Sequence, residues 1–229
     1  MCGRYALNAT SQELIASFGL VECPDFDPRY NIAPIQSVPI IRQRATGERV
    51  AHLLRWGLLP SWAKDETLAT RLINARAETI GEKPAFRAAY KARRCLVPAS
   101  GYFEWKAIPG GKQPYFIHAT NGSLLAFAGL WERWNKPDGS PLDTFTVITR
   151  DATETLRSVH DRMPVILAPE NYGPWLSRET PAELVHQILI SPAEDTLTMF
   201  PVSKIVGNVK NDTEECLVPI AEGEEPALS

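Results

Sequence analysis

Two short stretches raise the question of chemistry first. The chain opens "MCGRY", with a cysteine directly behind the initiator methionine. If Met1 is removed, Cys2 carries an α-amine and a thiol on adjacent carbons. That 1,2-aminothiol condenses with an aldehyde into a five-membered ring, which no internal cysteine can do. The plain alternative is a small residue near a frayed terminus. "GYFEWK" then puts Glu104 between aromatic residues just after a glycine. In a strand alternate side chains share a face, so Phe103 and Trp105 point one way and Tyr102, Glu104 and Lys106 the other. Glu104 faces either water or a pocket. In a pocket, desolvation raises its pKa and suits it to general acid–base work.

Other polar residues stand out against apolar surroundings. "LINARAET" holds Asn74, Arg76 and Glu78 at alternate positions. They are either solvated charges at the edge of an element, or an amide that orients a nucleophile beside an arginine that holds phosphate. "VHDRMPVIL" sets His160, Asp161 and Arg162 just before an apolar run. A lone histidine is more often structural than catalytic. "RYNIAP" and "GNVKND" put Asn31 and Lys210 in loops, where binding residues concentrate. Trp62 and Trp105 are core residues or stacking platforms for bases. A thiol, a carboxylate, an imidazole and an amide together can form a nucleophile site.

The elements that must position these groups follow from the pattern. Thr10-Ser11-Gln12-Glu13 reads as a capping box opening a helix to about Phe18. Residues 23–34, with three prolines in twelve residues, read as loop. "SVPIIRQ" and "RVAHLLRW" read as strands joined at Ala45–Gly47. The stretch 58–79 reads as loop, then helix, and 84–92 as a short helix. "RCLVPA", "GYFEWK", "PYFIHA" and "LLAFAGLW" are strands. Pro109-Gly110-Gly111 and Asn121-Gly122 read as hairpin turns between them, which predicts an antiparallel meander continued by "TFTVIT". Helices are expected near 151–158, 169–177 and 181–190, with strands at 164–168 and 197–202. The expected class is α+β: one domain, residues 1–217, around a barrel-like, mainly antiparallel sheet flanked by helices. Residues 218–229 read as an acidic, disordered tail.

Composition narrows the setting. At 44% hydrophobic residues the chain can bury a proper core. It shows no secretory signal and no apolar segment long enough to span a membrane. Cysteines at 2, 23, 95 and 216 form no close pair, which argues against a zinc site or a disulfide scaffold. Cys23, Cys95, Cys216 and Glu78 read as structural, and the reduced intracellular state is the default. The net charge of −3 hides an asymmetry. Residues 1–114 carry 16 Lys and Arg against 10 Asp and Glu, net +6, and the remainder 8 against 17, net −9. The whole chain would not coat DNA, but a local basic surface from the first half could hold a phosphate backbone.

Taken in order, "MCGRY", "RYNIAP", "WGLLPSW", "LINARAET", "KPAFR", "RRCLVPASGYFEWK", "HDRMPVIL" and "PVSKIVGNVKND" resemble the SOS-response-associated peptidase family, whose members are also called abasic-site processing proteins. The resemblance spans residue 2 to about 217. It implies a single α+β domain and a cytoplasmic protein, nucleoid-associated when bound to DNA. The implied activity is the sensing of abasic sites in single-stranded DNA. Met1 is lost, by autoproteolysis or an aminopeptidase, and the Cys2 aminothiol attacks the open-chain aldehyde in lyase-like Schiff-base chemistry. The product is a thiazolidine cross-link that shields the lesion. The resemblance further implies Glu104 as proton shuttle, His160 as acid–base at the sugar oxygens, and Asn74 orienting the Cys2 amine and the lesion. Arg4 and Arg76, with Arg87 and Lys210, would contact phosphates. Trp62, Trp105 and Pro34 would stack or wedge against bases, with Asn31 among the DNA contacts. No metal or cofactor is implied, and replication-fork proteins are possible partners. Two other readings stay open: a Cys2–His160 peptidase acting on other proteins, and a non-enzymatic single-strand binding module.

Overall fold

A computed structural model describes residues 2–191 and 196–221 of the chain. It opens with strand β1 (Tyr5–Leu7), helix α1 (Ser11–Phe18), β2 (Leu20–Glu22) and β3 (Arg29–Ile32). β4 (Ser37–Gln43) and β5 (Arg49–Trp56) follow, then a 3-10 turn and β6 (Asn74–Arg76). Helix α2 (Arg87–Ala92) leads into β7 (Arg94–Ala99), β8 (Gly101–Ile108), β9 (Gly111–Ala119), β10 (Leu125–Asn135) and β11 (Pro141–Asp151). The chain continues with α3 (Glu154–Arg157), β12 (Arg162–Pro164), α4 (Tyr172–Leu176), α5 (Ala182–Ile190) and β13 (Leu197–Pro201).

Local chemistry explains the ends of α1. Thr10 accepts from the Glu13 N–H at 3.2 Å, and the Glu13 carboxylate accepts from the Thr10 N–H at 2.7 Å. Gly19 then stops the helix at φ +61°, a left-handed conformation that favours glycine.

Two sheets share the molecule. One runs β13-β9-β8-β1-β3; the other runs β12-β11-β10-β7-β4-β5-β2. In the second, β5 also pairs in parallel with β11, through Thr144↔Arg55 and Phe145↔Trp56. That pairing closes β4, β5, β7, β10 and β11 into a five-stranded barrel, in keeping with the expected α+β domain. β11 is long enough to carry two more partners beyond the closure: β6 in parallel, at Val147↔Asn74 to Thr149↔Arg76, and β12 antiparallel.

Four local expectations are corrected. The strands from β7 to β10 are not one meander. The chain leaves the barrel after Ala99, forms the β8–β9 hairpin in the other sheet, and returns at β10. The Asn121-Gly122 turn therefore joins strands of different sheets. Residues 74–76 are a strand rather than a helix, because β11 offers them an unpaired edge. Residues 29–32, read as loop from their prolines, are strand β3 against β1. The expected tail begins too early: Val202 bridges Pro219 and the Ile220 N–H donates to Pro201. The rest of that tail, 222–229, lies outside the described residues.

The main core lies between the barrel and the inner face of the other sheet. Tyr5 meets Trp56 and Phe127 edge-on at 5.2 and 6.0 Å, and Tyr102 meets Phe127 at 5.9 Å. Such edge-to-face contacts add to the burial of these rings. A smaller core on the outer face joins Phe103 and Phe116 to Val202, Val206 and Cys216 of the C-terminal segment. Among the described residues no helix is long and apolar enough to cross a membrane.

Gly101, at the start of β8, allows the close approach of β9. A Cβ there would stand 2.4 Å from the Phe116 ring and 2.6 Å from the Ile117 carbonyl oxygen. Gly101→Ala should therefore destabilise the fold by about 1–3 kcal/mol. A denaturant midpoint unchanged from the parent would show that β9 yields to the methyl group at no cost.

Candidate active site

The seam between the two sheets gathers side chains from four places in the chain. Cys2 precedes β1, and the register Tyr5↔Tyr102, extended by the Phe103 N–H to the Arg4 carbonyl, runs it toward Glu104 on β8. Asn74 begins β6. His160 follows α3, its N–H donating to the Leu156 carbonyl, and precedes β12. These four expected site residues come together although they lie up to 158 positions apart.

Direct contacts tie them. Asn74 Nδ2 donates to the Cys2 carbonyl oxygen at 2.8 Å, one of the polar bridges between the sheets. The other amide atom, Asn74 Oδ1, is buried and accepts no hydrogen bond among the described residues. His160 Nε2 lies 3.9 Å from Glu104 Oε2. His160 Nδ1 accepts from the Arg162 backbone N–H at 3.0 Å in the neutral ring, which leaves the proton on Nε2, toward Glu104. In the protonated ring Nδ1–H faces Asp161 Oδ1 at 2.9 Å.

Electrostatics follows from burial. Glu104 is 3% exposed. Burial raises its pKa from the usual carboxylate range to about 7; Asp161 adds to the rise and Lys112 opposes it. Burial also pushes the Cys2 thiol up, and the nearby Glu104 charge pushes the same way. His160 is held below its ordinary value by burial, against the pull of Asp161. Near neutral pH the pocket thus holds a protonated thiol, a neutral imidazole and a carboxyl group that can give or take a proton.

A groove of about 400 Å³ opens beside Asn74. Leu72 and Phe86 line it, Trp62 stands on its rim 59% exposed, and Arg76 and Lys83 flank it. Arg87 is exposed at the start of α2 and Lys210 is exposed near the C-terminal end of the fold. The guanidinium of Arg4 lies 5.8 Å from the centre of the half-buried Trp105 ring. Its Nη1 donates to Asn31 Oδ1 at 2.8 Å and to the Val206 carbonyl at 2.7 Å. Pro34 is half-buried in a turn, followed by Ile35 at φ +73°. That is a strained conformation for a β-branched residue, held by the Ile35 N–H donating to Trp56 at 2.8 Å.

Asn31 corrects an expectation. It is fully buried, and its Nδ2 donates to the carbonyls of Val206, Asn208 and Asn211. It holds the segment that carries Lys210 and cannot itself reach a strand of DNA. Lys112, whose charge reaches both Glu104 and His160, was not expected. Only the register of the β8–β9 hairpin brings it near.

The family model described as SOS response associated peptidase matches residues 1–209. The chain is similar to "Abasic site processing protein YoqW" of Bacillus subtilis (strain 168), 40% identical over 222 residues, covering 95% of this chain and 99% of that one. It is similar to "Abasic site processing protein HMCES" of Gallus gallus, 37% identical over 230 residues, covering 86% of this chain and 68% of that one. Among solved structures it is similar to a protein from Bacteroides thetaiotaomicron, with TM-score 0.85, 26% identity, 96% of this chain and all of that one covered.

Burial of Glu104 predicts a pH signature. The group binds its proton more tightly folded than unfolded, so its relative stabilisation is present below pH 4.5 and is lost as pH rises to about 7. Glu104→Gln should match the parent near pH 4. It should exceed it by on the order of 3 kcal/mol above pH 8. Melting curves across pH 4–8 that stay parallel would contradict the burial of this carboxyl group.

Proposed function

We propose, because the chain belongs to the SOS response associated peptidase family and because Cys2, Asn74, Glu104 and His160 meet at one seam, that it processes abasic sites in single-stranded DNA by forming a covalent cross-link through Cys2. The observation that carries this reading is the Asn74 amide. One end donates to the Cys2 carbonyl oxygen; the other is a buried oxygen that accepts no hydrogen bond among the described residues, and in this reading it takes the Cys2 α-amine as its donor.

The chemistry begins with loss of Met1: a water that gives its proton to the Glu104 carboxylate adds to the Met1 carbonyl carbon, and the Met1–Cys2 peptide bond breaks as that proton passes to the Cys2 nitrogen, releasing methionine and the free α-amine. An abasic deoxyribose interconverts between a ring hemiacetal and an open-chain aldehyde. The neutral His160–Glu104 pair moves the proton between the ring oxygen and the hydroxyl that ring opening requires. The Cys2 amine has a reference pKa of about 7.7–8.0, so an appreciable neutral fraction exists near pH 7. It adds to C1′, and Glu104 protonates the departing hydroxyl, giving a Schiff base and one water. The Cys2 sulfur then bonds to C1′ as its proton passes to the imine nitrogen, closing the thiazolidine. Ring closure removes the electron sink that would otherwise drive β-elimination and strand cleavage.

The surrounding residues have roles in the same reading. Arg76 and Arg87, with Arg4 and Lys210, face the phosphates. Trp62, Trp105 and Pro34 contact the bases. DNA carrying the lesion is the partner, and the exposed cations make binding weaken with salt.

A cysteine peptidase acting on other proteins fits less well. Such an enzyme works through a thiolate of lowered pKa, and burial moves the Cys2 thiol the opposite way. Amine-first attack does not need a thiolate.

Intact mass spectrometry tests the proposal. Purified protein should lack Met1. Mixed with a single strand carrying one abasic site, it should give a denaturation-stable adduct lighter than the two components together by one water. Cys2→Ala should give none. An equally stable adduct in Cys2→Ala would sink the proposal. Glu104→Gln should slow adduct formation by about 100-fold at pH 7; an unchanged rate from pH 5 to 8 would remove Glu104 from the mechanism.

A further inference from the structure

Ile35 is held where its type of side chain does not belong. Among the described residues it is the only non-glycine residue with positive φ, at +73°. It is the third residue of the turn Ala33-Pro34-Ile35-Gln36, closed by the Gln36 N–H donating to the Ala33 carbonyl at 3.4 Å. Proline second and a positive φ third is the pattern of a type II turn, whose third place calls for glycine or asparagine. A β-branched residue is the poorest choice there, because its Cβ crowds the carbonyl oxygen that follows. The turn cannot relax, since it is pinned on both flanks. The Ile35 N–H donates to the Trp56 carbonyl at 2.8 Å, and the Trp56 N–H to the Gln36 carbonyl at 3.0 Å. Gln36 Oε1 accepts from the Ala33 N–H at 3.0 Å and from Arg29 Nη2 at 2.8 Å. Packing offsets the strain only in part, because Ile35 stays 41% exposed. Strain of this kind clusters where a site makes use of it.

The turn borders the seam. β1 and β3 pair antiparallel at Tyr5↔Ile32. The residues before Tyr5, with Cys2, and the residues after Ile32, with Ile35, therefore leave the sheet at the same end. On the barrel side Trp56, whose carbonyl holds Ile35, donates from Nε1 to the carbonyl of Ile73 at 2.9 Å. The next residue, Asn74, holds the Cys2 carbonyl. An exposed aliphatic side chain thus stands at the end of the sheet that carries the nucleophile.

We propose that Ile35 is a specificity-determining residue that recognises the absence of a base: its side chain enters the gap in the stack beside the abasic sugar, a space that an intact nucleotide fills. The inference rests on the reading of the chain as acting on abasic sites in single strands. In that reading the nucleophile bonds to C1′, the atom that carried the base. A side chain beside the nucleophile then faces the place the base has left. Isoleucine is among the side chains that wedge between base steps. Covering its exposed part with the neighbouring base faces removes apolar surface from water on both sides and replaces stacking lost with the base. Asn74, Glu104 and His160 act on the sugar and the nucleophile; Ile35 makes the binding step itself selective.

The test measures the affinity of the full chain for two single strands, one intact and one with a tetrahydrofuran ring in place of a single nucleoside. That ring is an abasic analogue that forms no aldehyde, so binding is read without cross-linking. The parent should bind the tetrahydrofuran strand more tightly. Ile35→Gly and Ile35→Asn suit the left-handed backbone. They should lower affinity for the tetrahydrofuran strand about fivefold and leave affinity for the intact strand within about twofold. Ile35→Leu should retain most of the preference. Denaturant midpoints of the Gly and Asn variants should lie at or above the parent's, since relief of strain offsets the lost contact. A marked drop in midpoint would overturn the proposal, because ordinary packing would then account for Ile35. Equal affinity of the parent for the two strands would overturn it too. So would an equal loss on both strands in the variants, because Ile35 would then be a general DNA contact. If the tetrahydrofuran preference depends on Ile35 but a strand with a true abasic site gives no adduct, the cross-linking reading fails and recognition of the gap stands.

Discussion

The fold depends on one strand. β11 spans Pro141–Asp151 and spends its first half closing the barrel between β10 and β5. Its second half extends past that closure and holds β6 on one edge and β12 on the other. Asn74 and the chain entering β12 from His160 are thereby fixed to the same backbone. Had β11 ended at Phe145, the barrel would still close, but neither group would have a ladder to hold it. The other sheet supplies Cys2 and Glu104. It is pressed against the barrel by the buried aromatic contacts of Tyr5 and Tyr102, with the Asn74–Cys2 hydrogen bond across the join. An aromatic seam suits this task. Rings bury much surface with little conformational freedom to lose, so the two sheets meet in one register rather than several.

The same burial does opposite things to stability and to reactivity. A carboxyl group 3% exposed disfavours its own charge, and near neutral pH that destabilises the fold. The displacement to about 7 is what lets one group serve as both acid and base at the pH of a cell. The neighbours refine this balance. Lys112 and Asp161 act on Glu104 in opposite directions. An apolar residue at position 104 would relieve the cost and leave the pocket without a proton carrier. Local rules are broken here in the way expected where stability is traded for a working site.

Much of this was legible in the residues, and what was not has physical causes. The alternation in "GYFEWK" put Tyr102 and Glu104 on one face and Phe103 and Trp105 on the other, and the two cores divide that way. The capping box and the β4–β5 hairpin followed from local chemistry alone, since their signals lie within a few residues of each other. The sheet switches at Ser100 and at 120–124 were not legible. Nothing local distinguishes a turn that pairs its flanking strands from one that sends them to different sheets. β6 was misread because three residues carry no period of their own; it is a strand only because β11 offers an edge. Asn31 was misread for a related reason. A loop-like asparagine and one that binds three carbonyls of a segment 175 or more residues away look the same in sequence.

The charge asymmetry of the chain resolves in three dimensions. The acidic second half folds over part of the basic first half: Asp212 pairs with Arg29, Asp143 with Arg42, and Glu132 with Arg93. These contacts consume cations of the first half. Arg76, Lys83 and Arg87 make no ion pair among the described residues, and the first two flank the groove beside Asn74. A chain of net charge −3 thus keeps a local positive edge beside Asn74. Long-range repulsion from the acidic half is screened within about 8 Å at physiological salt, whereas cations on the rim act at contact distance. The local arrangement therefore governs what can approach the seam, and the overall charge does not.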